Sequence, residues 1–408
     1  MQTAPSKEAI EGNLWRYKVL AAVGFTPFML PIIVLFWQDC GLDMAQVFWL
    51  QGLFAVAVVV LEVPTGMVAD RVGKRTSLVF GMLIIFLGFV AYAMSRTFAA
   101  FLLVEIVLAL GLAFYSGADS ALLYDTLKAL GREEEFKRIE GEASAVRLIS
   151  FAISNLAGGV IGSWSLVAAM WASALGPLLG LIVVLGFVEV QPRNPQETLR
   201  TALRGYSELL SQALKFVRKQ QYVRWQILFF GVLSCSATWL LWLYQPYMSH
   251  SGLDIWAFGG AFALFNLVAA LCSRHADDLE TRLGGWRTNA VIVVLQVVPL
   301  LLMATFIGPM SFLFILGHQA VRGFVRPIIN DRILRYTFAD KRATVLSLNM
   351  MCSRLFFALS APLVGWVSDT QSMEATLLTQ AGALVVLFVG LAWMYLQIPR
   401  KYFQPKTP

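Results

Sequence analysis

Charge is what this chain has least of. Only 14% of its 408 residues are Asp, Glu, Lys or Arg, while 58% are apolar; an ordinary soluble domain is about a quarter charged. So little polar surface cannot coat a water-soluble globule, which excludes a large soluble catalytic domain. Histidine is scarce too. His250, His275 and His318 are the whole supply and fall in separate parts of the chain, so no metal set or catalytic triad is legible and an enzyme is not expected. The four cysteines, Cys40, Cys235, Cys272 and Cys352, form no C-x-x-C pair and no disulfide framework. A phosphate-cradling G-x-x-x-x-G-K-S/T loop is missing, which argues against a nucleotide-powered pump, and no filter repeat or ring of pore charges points to a channel. A receptor that senses a solute without moving it stays open as an alternative.

What the chain has instead is apolar runs long enough to cross about 30 Å of hydrocarbon. Twelve are expected: 17–37, 44–68, 76–94, 98–124, 142–163, 165–188, 225–248, 254–274, 288–306, 309–330, 342–367 and 373–397. Their unbroken apolarity reads as helices rather than the short alternating strands of a barrel. The expected fold is therefore an all-α membrane protein with two pseudo-symmetric six-helix bundles, 1–189 and 225–408, joined by a linker over 190–224. Pro27, Pro31, Pro64, Pro177, Pro299 and Pro362 are read as kinks that neighbouring helices tolerate. The first run is too long for a signal core and is read as a retained span.

Basic residues set the expected orientation. Of the 32 Lys and Arg, four (Arg147, Arg322, Arg326 and Arg354) lie well inside the runs, and Arg96 alone falls in the alternate loops of one side; the other 27 crowd the opposite side. By the positive-inside rule that side is the cytoplasm, with both termini. The net charge of +7 is thus an orientation signal and not a sign of a nucleic-acid partner. A multi-pass plasma membrane protein of the bacterial inner-membrane type, acting as a monomer, is expected. In the linker Leu199, Leu203, Tyr206, Leu210, Leu214 and Val217 recur at helical spacing, flanked by Arg200, Arg204, Lys215, Arg218 and Lys219. That pattern predicts an amphipathic helix held on the anionic inner leaflet.

A weak internal repeat underlies the six-plus-six count. Gly111 precedes Asp125 by the same 14 residues that separate Gly317 from Asp331, Arg147-Leu148 stands before Gly158 as Arg354-Leu355 stands before Gly365, and Arg71-Val72-Gly73 is echoed by Arg282-Leu283-Gly284. Three matches in order suggest duplication of a six-span unit, with a substrate path between the halves.

The loop after the second run carries Gly66, Asp70, Arg71, Gly73, Lys74 and Arg75. This resembles the G-x-x-x-D-R-x-G-R/K-R/K signature of the major facilitator superfamily, and the span number and long central linker resemble that family's plan. The resemblance implies twelve spans, alternating access, and a conformational latch made by these six residues. The sequence departs from the pattern of the family's proton-driven drug antiporters: Glu105 stands where a buried Arg would be, and Gly158-Gly159 lacks the accompanying proline.

Charges within the runs are the remaining clue. Glu62, Glu105 and Asp119 are all in the first half, and Arg322, Arg326 and Arg354 in the second, with Arg147 the exception. At roughly 3 kcal/mol each for a lipid-exposed charge at a helix centre, they must pair, face a cavity or reach the interface. Glu105, Asp119 and Glu62 are the candidates for carrying a coupling proton. Arg354, Arg322, Arg326 and Arg147, with Trp239 and Trp242, are the candidates for holding substrate; structural ion pairs are the alternative. The expected function is secondary active transport of a small organic solute with no cofactor other than an ion gradient, read as proton-coupled efflux, with proton-coupled uptake of an organic anion or nutrient as the alternative.

Overall fold

A computed structural model describes residues 6–190, 199–338 and 341–399, except the side chains of Val63, Asp70 and 199–207. It is helical, with no strand among the described residues. The first apolar run is not one helix. α1 (Lys7–Val23) begins under a Ser6 cap, whose hydroxyl accepts from the Ala9 amide at 3.2 Å, and α2 (Ile33–Asp39) resumes only after a stretch of turns. Pro27 and Pro31 fall in that stretch and separate helices rather than kink one, since two missing N–H donors so close together leave the backbone ladder unsupported. Among the described residues, eleven helical stretches are long and apolar enough to cross a membrane, and the first run is not one of them.

The chain continues through α3 (Met44–Val72), α4 (Lys74–Met94), α5 (Phe98–Tyr115), α6 (Ala118–Leu130), α7 (Phe136–Trp164) and α8 (Leu166–Leu185), then α9 (Leu199–Lys219) in the linker. After it come α10 (Gln221–His250), α11 (Ile255–Arg274), the short α12 (Ala276–Leu283), α13 (Gly285–Thr305), α14 (Ile315–Arg335), α15 (Arg342–Thr370) and α16 (Met373–Leu396). Pro64, Pro177, Pro299 and Pro362 lie inside α3, α8, α13 and α15 as expected.

Two compact units result. The first contains Met1–Leu42, Leu53–Arg204 and Ile255–Gly260, the second Asp43–Gly52, Gly205–Asp254 and Ala261–Pro408. In the first, α4 packs on α5 and α8, and Tyr17, Leu78, Met82, Leu122, Leu127 and Ile139 sit in one buried cluster. Polar contacts fix α1 to α7: Tyr17 donates to Glu140, and Lys18 Nζ lies 2.5 Å from Glu142 Oε2. Asn13 secures the end of the first half by donating to the Val188 carbonyl and accepting from its amide, both at 2.9 Å. In the second unit α10 packs on α14, α15 and α16. There Trp225 Nε1 donates to the Leu391 carbonyl at 2.7 Å and Tyr247 donates to Ser311 Oγ at 2.8 Å. Such bonds matter more inside a lipid-embedded bundle, where apolar burial alone gives helices little reason to associate.

The repeat read in the sequence has a structural counterpart. Gly73 (φ 101°, ψ 150°) starts α4, and Gly284 (φ 76°, ψ 160°) starts α13 in the same left-handed, extended conformation. Only glycine adopts it without strain.

Candidate functional site

The stretch from Phe98 to Leu130 is apolar enough to be one span, yet it is two helices. α5 stops at Tyr115, and Gly117, at φ 81°, turns the chain into α6. Asp119 sits buried in the first turn of α6, with the Ser120 amide beside its carboxylate. Unpaired amides at a helix start favour a negative charge, so the break creates a place for a carboxylate within a span. From α7, Arg147 brings Nη2 to 3.7 Å from Asp119 Oδ2. The phenols of Tyr115 and Tyr17 are further close neighbours of the guanidinium, and Tyr17 donates in turn to Glu140, two turns before Arg147. The Arg147 side chain keeps 36% of its surface accessible, against 10% for Asp119. This cluster can exchange a proton for an ion pair: a charged Asp119 holds Arg147, and a protonated one releases it.

The other acids are placed apart from it. Glu105, on α5, is buried and accepts from the Tyr92 hydroxyl at 3.0 Å; the Tyr92 ring packs in turn beside Trp37 and Phe101. Glu62 is exposed on α3.

The second unit contributes a different arrangement. Arg322 on α14 is exposed, and its Nη2 donates to Asn266 Oδ1 on α11 at 2.6 Å. No carboxylate pairs with it among the described residues. Arg326, one turn on, is also exposed, while Arg354 on α15 is half-buried. Gln319 Nε2 donates to the Tyr244 hydroxyl at 3.3 Å beside this face. Trp239 is buried, and its Nε1 donates to Ser360 Oγ at 2.9 Å, so its polar edge is already engaged; Trp242 is half-buried.

Of the six signature residues, Gly66 and Arg71 are exposed on α3, and the side chain of Asp70 lies outside the described ones. Gly73, Lys74 and Arg75 converge on Glu189, which follows α8. Its two carboxylate oxygens accept from the Lys74 amide at 3.2 Å and the Arg75 amide at 3.0 Å, capping α4, while Arg75 Nη2 donates to the Leu185 carbonyl at 2.8 Å. A Cβ on Gly73 would stand 2.3 Å from Glu189 Oε2, so the glycine is needed for the carboxylate as well as for the turn. Burial pushes the Glu189 carboxyl above the ordinary carboxylate range, against the pull of the two amides.

Sequence reasoning missed Glu189, Asn266 and the Tyr17–Glu140 pair. Glu189 had a faint signal, one acid alone in the apolar tail Gly186-Phe187-Val188-Glu189-Val190. Asn266 had none, because an amide in an apolar run carries no formal charge.

Comparison with known proteins agrees with this architecture. The chain is 22% identical over 177 residues to an uncharacterized transporter of Buchnera aphidicola subsp. Schizaphis graminum, covering 43% of this chain and 42% of that protein. It is 24% identical over 168 residues to a second uncharacterized transporter, from Buchnera aphidicola subsp. Acyrthosiphon pisum, covering 41% of each. The matched stretch thus spans about two fifths of these curated relatives. Among solved structures, the nucleoside transporter NupG superposes with a TM-score of 0.79 at 16% identity, over 94% of this chain and 100% of that one. A bacterial homologue of the human lysosomal transporter Spinster, inward-facing and unoccupied, gives 0.76 at 15%, over 99% and 100%. The sequence pattern of the Major Facilitator Superfamily matches residues 19–355, and the chain belongs to that family.

Proposed function

We propose that this protein is a proton-coupled secondary transporter of a small organic anion, working by alternating access. The observation that carries the reading is the ion pair between Asp119 and Arg147. A proton arriving at Asp119 neutralises the carboxylate and frees the guanidinium for another anion, so proton and anion bind together rather than compete. Co-binding is the logic of symport. A cationic solute would instead compete with the proton for Asp119, as exchange requires, and would meet the positive charge of Arg147. Symport driven by an inward proton gradient is uptake, so the pair favours uptake of an organic anion over the efflux expected from the sequence. Arg322 supports the same solute class, since an accessible guanidinium that bonds an amide and, among the described residues, meets no carboxylate keeps its charge for an incoming anion. A proton carried in with a monoanion moves no net charge, so the pH difference drives the cycle, at about 1.4 kcal/mol per pH unit, and no cofactor is invoked.

The test is uptake of a panel of radiolabelled organic anions, neutral solutes and cations into proteoliposomes, under a pH gradient imposed in either direction. Anion accumulation driven by external acid supports the reading. Accumulation of cations driven by internal acid contradicts it.

A further inference from the structure

Three membrane-crossing helices of the second unit have ends close together in space, as the 4.5 Å between the Tyr222 and Tyr336 rings shows. α14 stops at Arg335, α15 starts at Arg342, and α10 starts at Gln221 directly after the linker helix α9. Between them lies a cavity of about 450 Å³ lined by Lys215, Phe216 and Lys219 of α9 and by Phe338 and Lys341 of the α14–α15 connection. The two phenylalanine rings stand 6.1 Å apart, centroid to centroid, and the Lys341 ammonium lies 6.0 Å over the Phe216 ring. No ion pair joins any of the three lysines to a carboxylate among the described residues; Asp340 lies outside them.

Its position and chemistry select the ligand. A cavity at the ends of spans sits at headgroup depth, where an anionic lipid places its phosphate and glycerol. Ammonium groups are point charges suited to a phosphate, and the paired rings offer an apolar wall for the first methylenes of an acyl chain. The same helix exposes Leu209 and Leu214, side chains that favour a membrane surface over water. We propose that this cavity is a headgroup site for an anionic phospholipid, which joins the linker helix to the ends of α14 and α15. The proposal is independent of the transported solute.

The test uses the full chain purified in a non-ionic detergent, titrated with dioctanoyl phosphatidylglycerol and read by native mass spectrometry and thermal shift. The comparison arms are dioctanoyl phosphatidylcholine and inorganic phosphate. Each lysine near an anionic surface contributes on the order of 1 kcal/mol, so phosphatidylglycerol should bind more than about tenfold tighter than phosphatidylcholine, and saturably. The Lys215→Gln, Lys219→Gln, Lys341→Gln triple variant should lose that preference, and Lys341→Gln alone should lose part of it, which keeps the test decisive if the triple variant misfolds. Equal affinity for the two lipids, or an undiminished preference in the variants, overturns the proposal. Displacement of the lipid by inorganic phosphate at similar concentration reassigns the cavity to a free phosphate and overturns it as a lipid site.

Discussion

The carboxylate of Asp369, near the end of α15, accepts hydrogen bonds from the backbone amides of Met44 at 2.9 Å and Ala45 at 2.7 Å, the first two residues of α3. These are amides that a helix start leaves without intrahelical partners. Asp43 serves the next one, its Oδ1 accepting from the Gln46 amide at 2.7 Å. One helix start is thus capped from two sides, by its own N-cap residue and by a side chain more than 300 positions away. Replacing a capping carboxylate by alanine costs about 1 kcal/mol, up to about 2. Asp369→Ala should therefore lower the melting temperature of the purified protein, and Asp369→Asn, which keeps one acceptor oxygen, should lower it less. Equal melting of wild type and Asp369→Ala would show that the cap contributes nothing.

Glu189 predicts a pH effect with a definite sign. Its carboxyl is raised in the folded protein by burial, so the fold holds this proton more tightly than the unfolded chain does. The stability it contributes is fully present below the ordinary glutamate range and is lost as pH rises through the higher folded value. Melting temperature measured against pH for wild type and Glu189→Gln isolates that component. The wild type should lose more stability than the variant between mildly acidic and neutral pH. Glu189→Leu should be less stable than either at every pH, because it leaves the Lys74 and Arg75 amides uncapped.

Arg322 should govern solute affinity rather than turnover. Arg322→Lys keeps a charge but not the planar fork that bonds Asn266, so it should raise KM several-fold with little change in maximal rate. Arg322→Gln should raise KM by more than about tenfold, the loss of a charge-assisted hydrogen bond worth about 1.5–3 kcal/mol. An unchanged KM in both variants would remove Arg322 from recognition.

His318 offers a contrast. It is 1% exposed, and neither ring nitrogen has a hydrogen-bond partner among the described residues. Replacing such a polar group by an apolar one of similar size is neutral or stabilising. His318→Phe should therefore melt at the same temperature as wild type or higher. A large drop in its melting temperature would reveal a polar role for the ring.

These residues also show what the sequence could and could not convey. Apolar runs located the spans because lipid demands about 20 apolar residues per crossing, and the Gly73–Gly284 echo survived because both positions need a conformation that side chains resist. The two broken runs were harder. Ser116-Gly117 and the Gly24–Pro31 stretch leave hydropathy untouched while ending helices, so length and composition read straight through them. Asp119 and Arg147 were each singled out as embedded charges, but their pairing depends on the turn at Gly117 and on the register of α7 against α6. Neither can be counted along the chain. Asp369 and Glu189 act as caps for helices far away in sequence, and a carboxylate's partners at that separation leave no local pattern.

If a proton on Asp119 frees Arg147 for an anionic solute, proton and solute must cross together, which simultaneous proton and solute flux in proteoliposomes reads. A trapped pH dye and a labelled solute found in the panel would be followed together, for wild type and Asp119→Asn. Wild type should take up protons with the solute and accumulate it under an external acid gradient. Asp119→Asn, fixed in the neutral form, should still exchange solute across the membrane but neither move protons nor accumulate solute. Undiminished, pH-driven accumulation by Asp119→Asn would show that Asp119 does not carry the coupled proton.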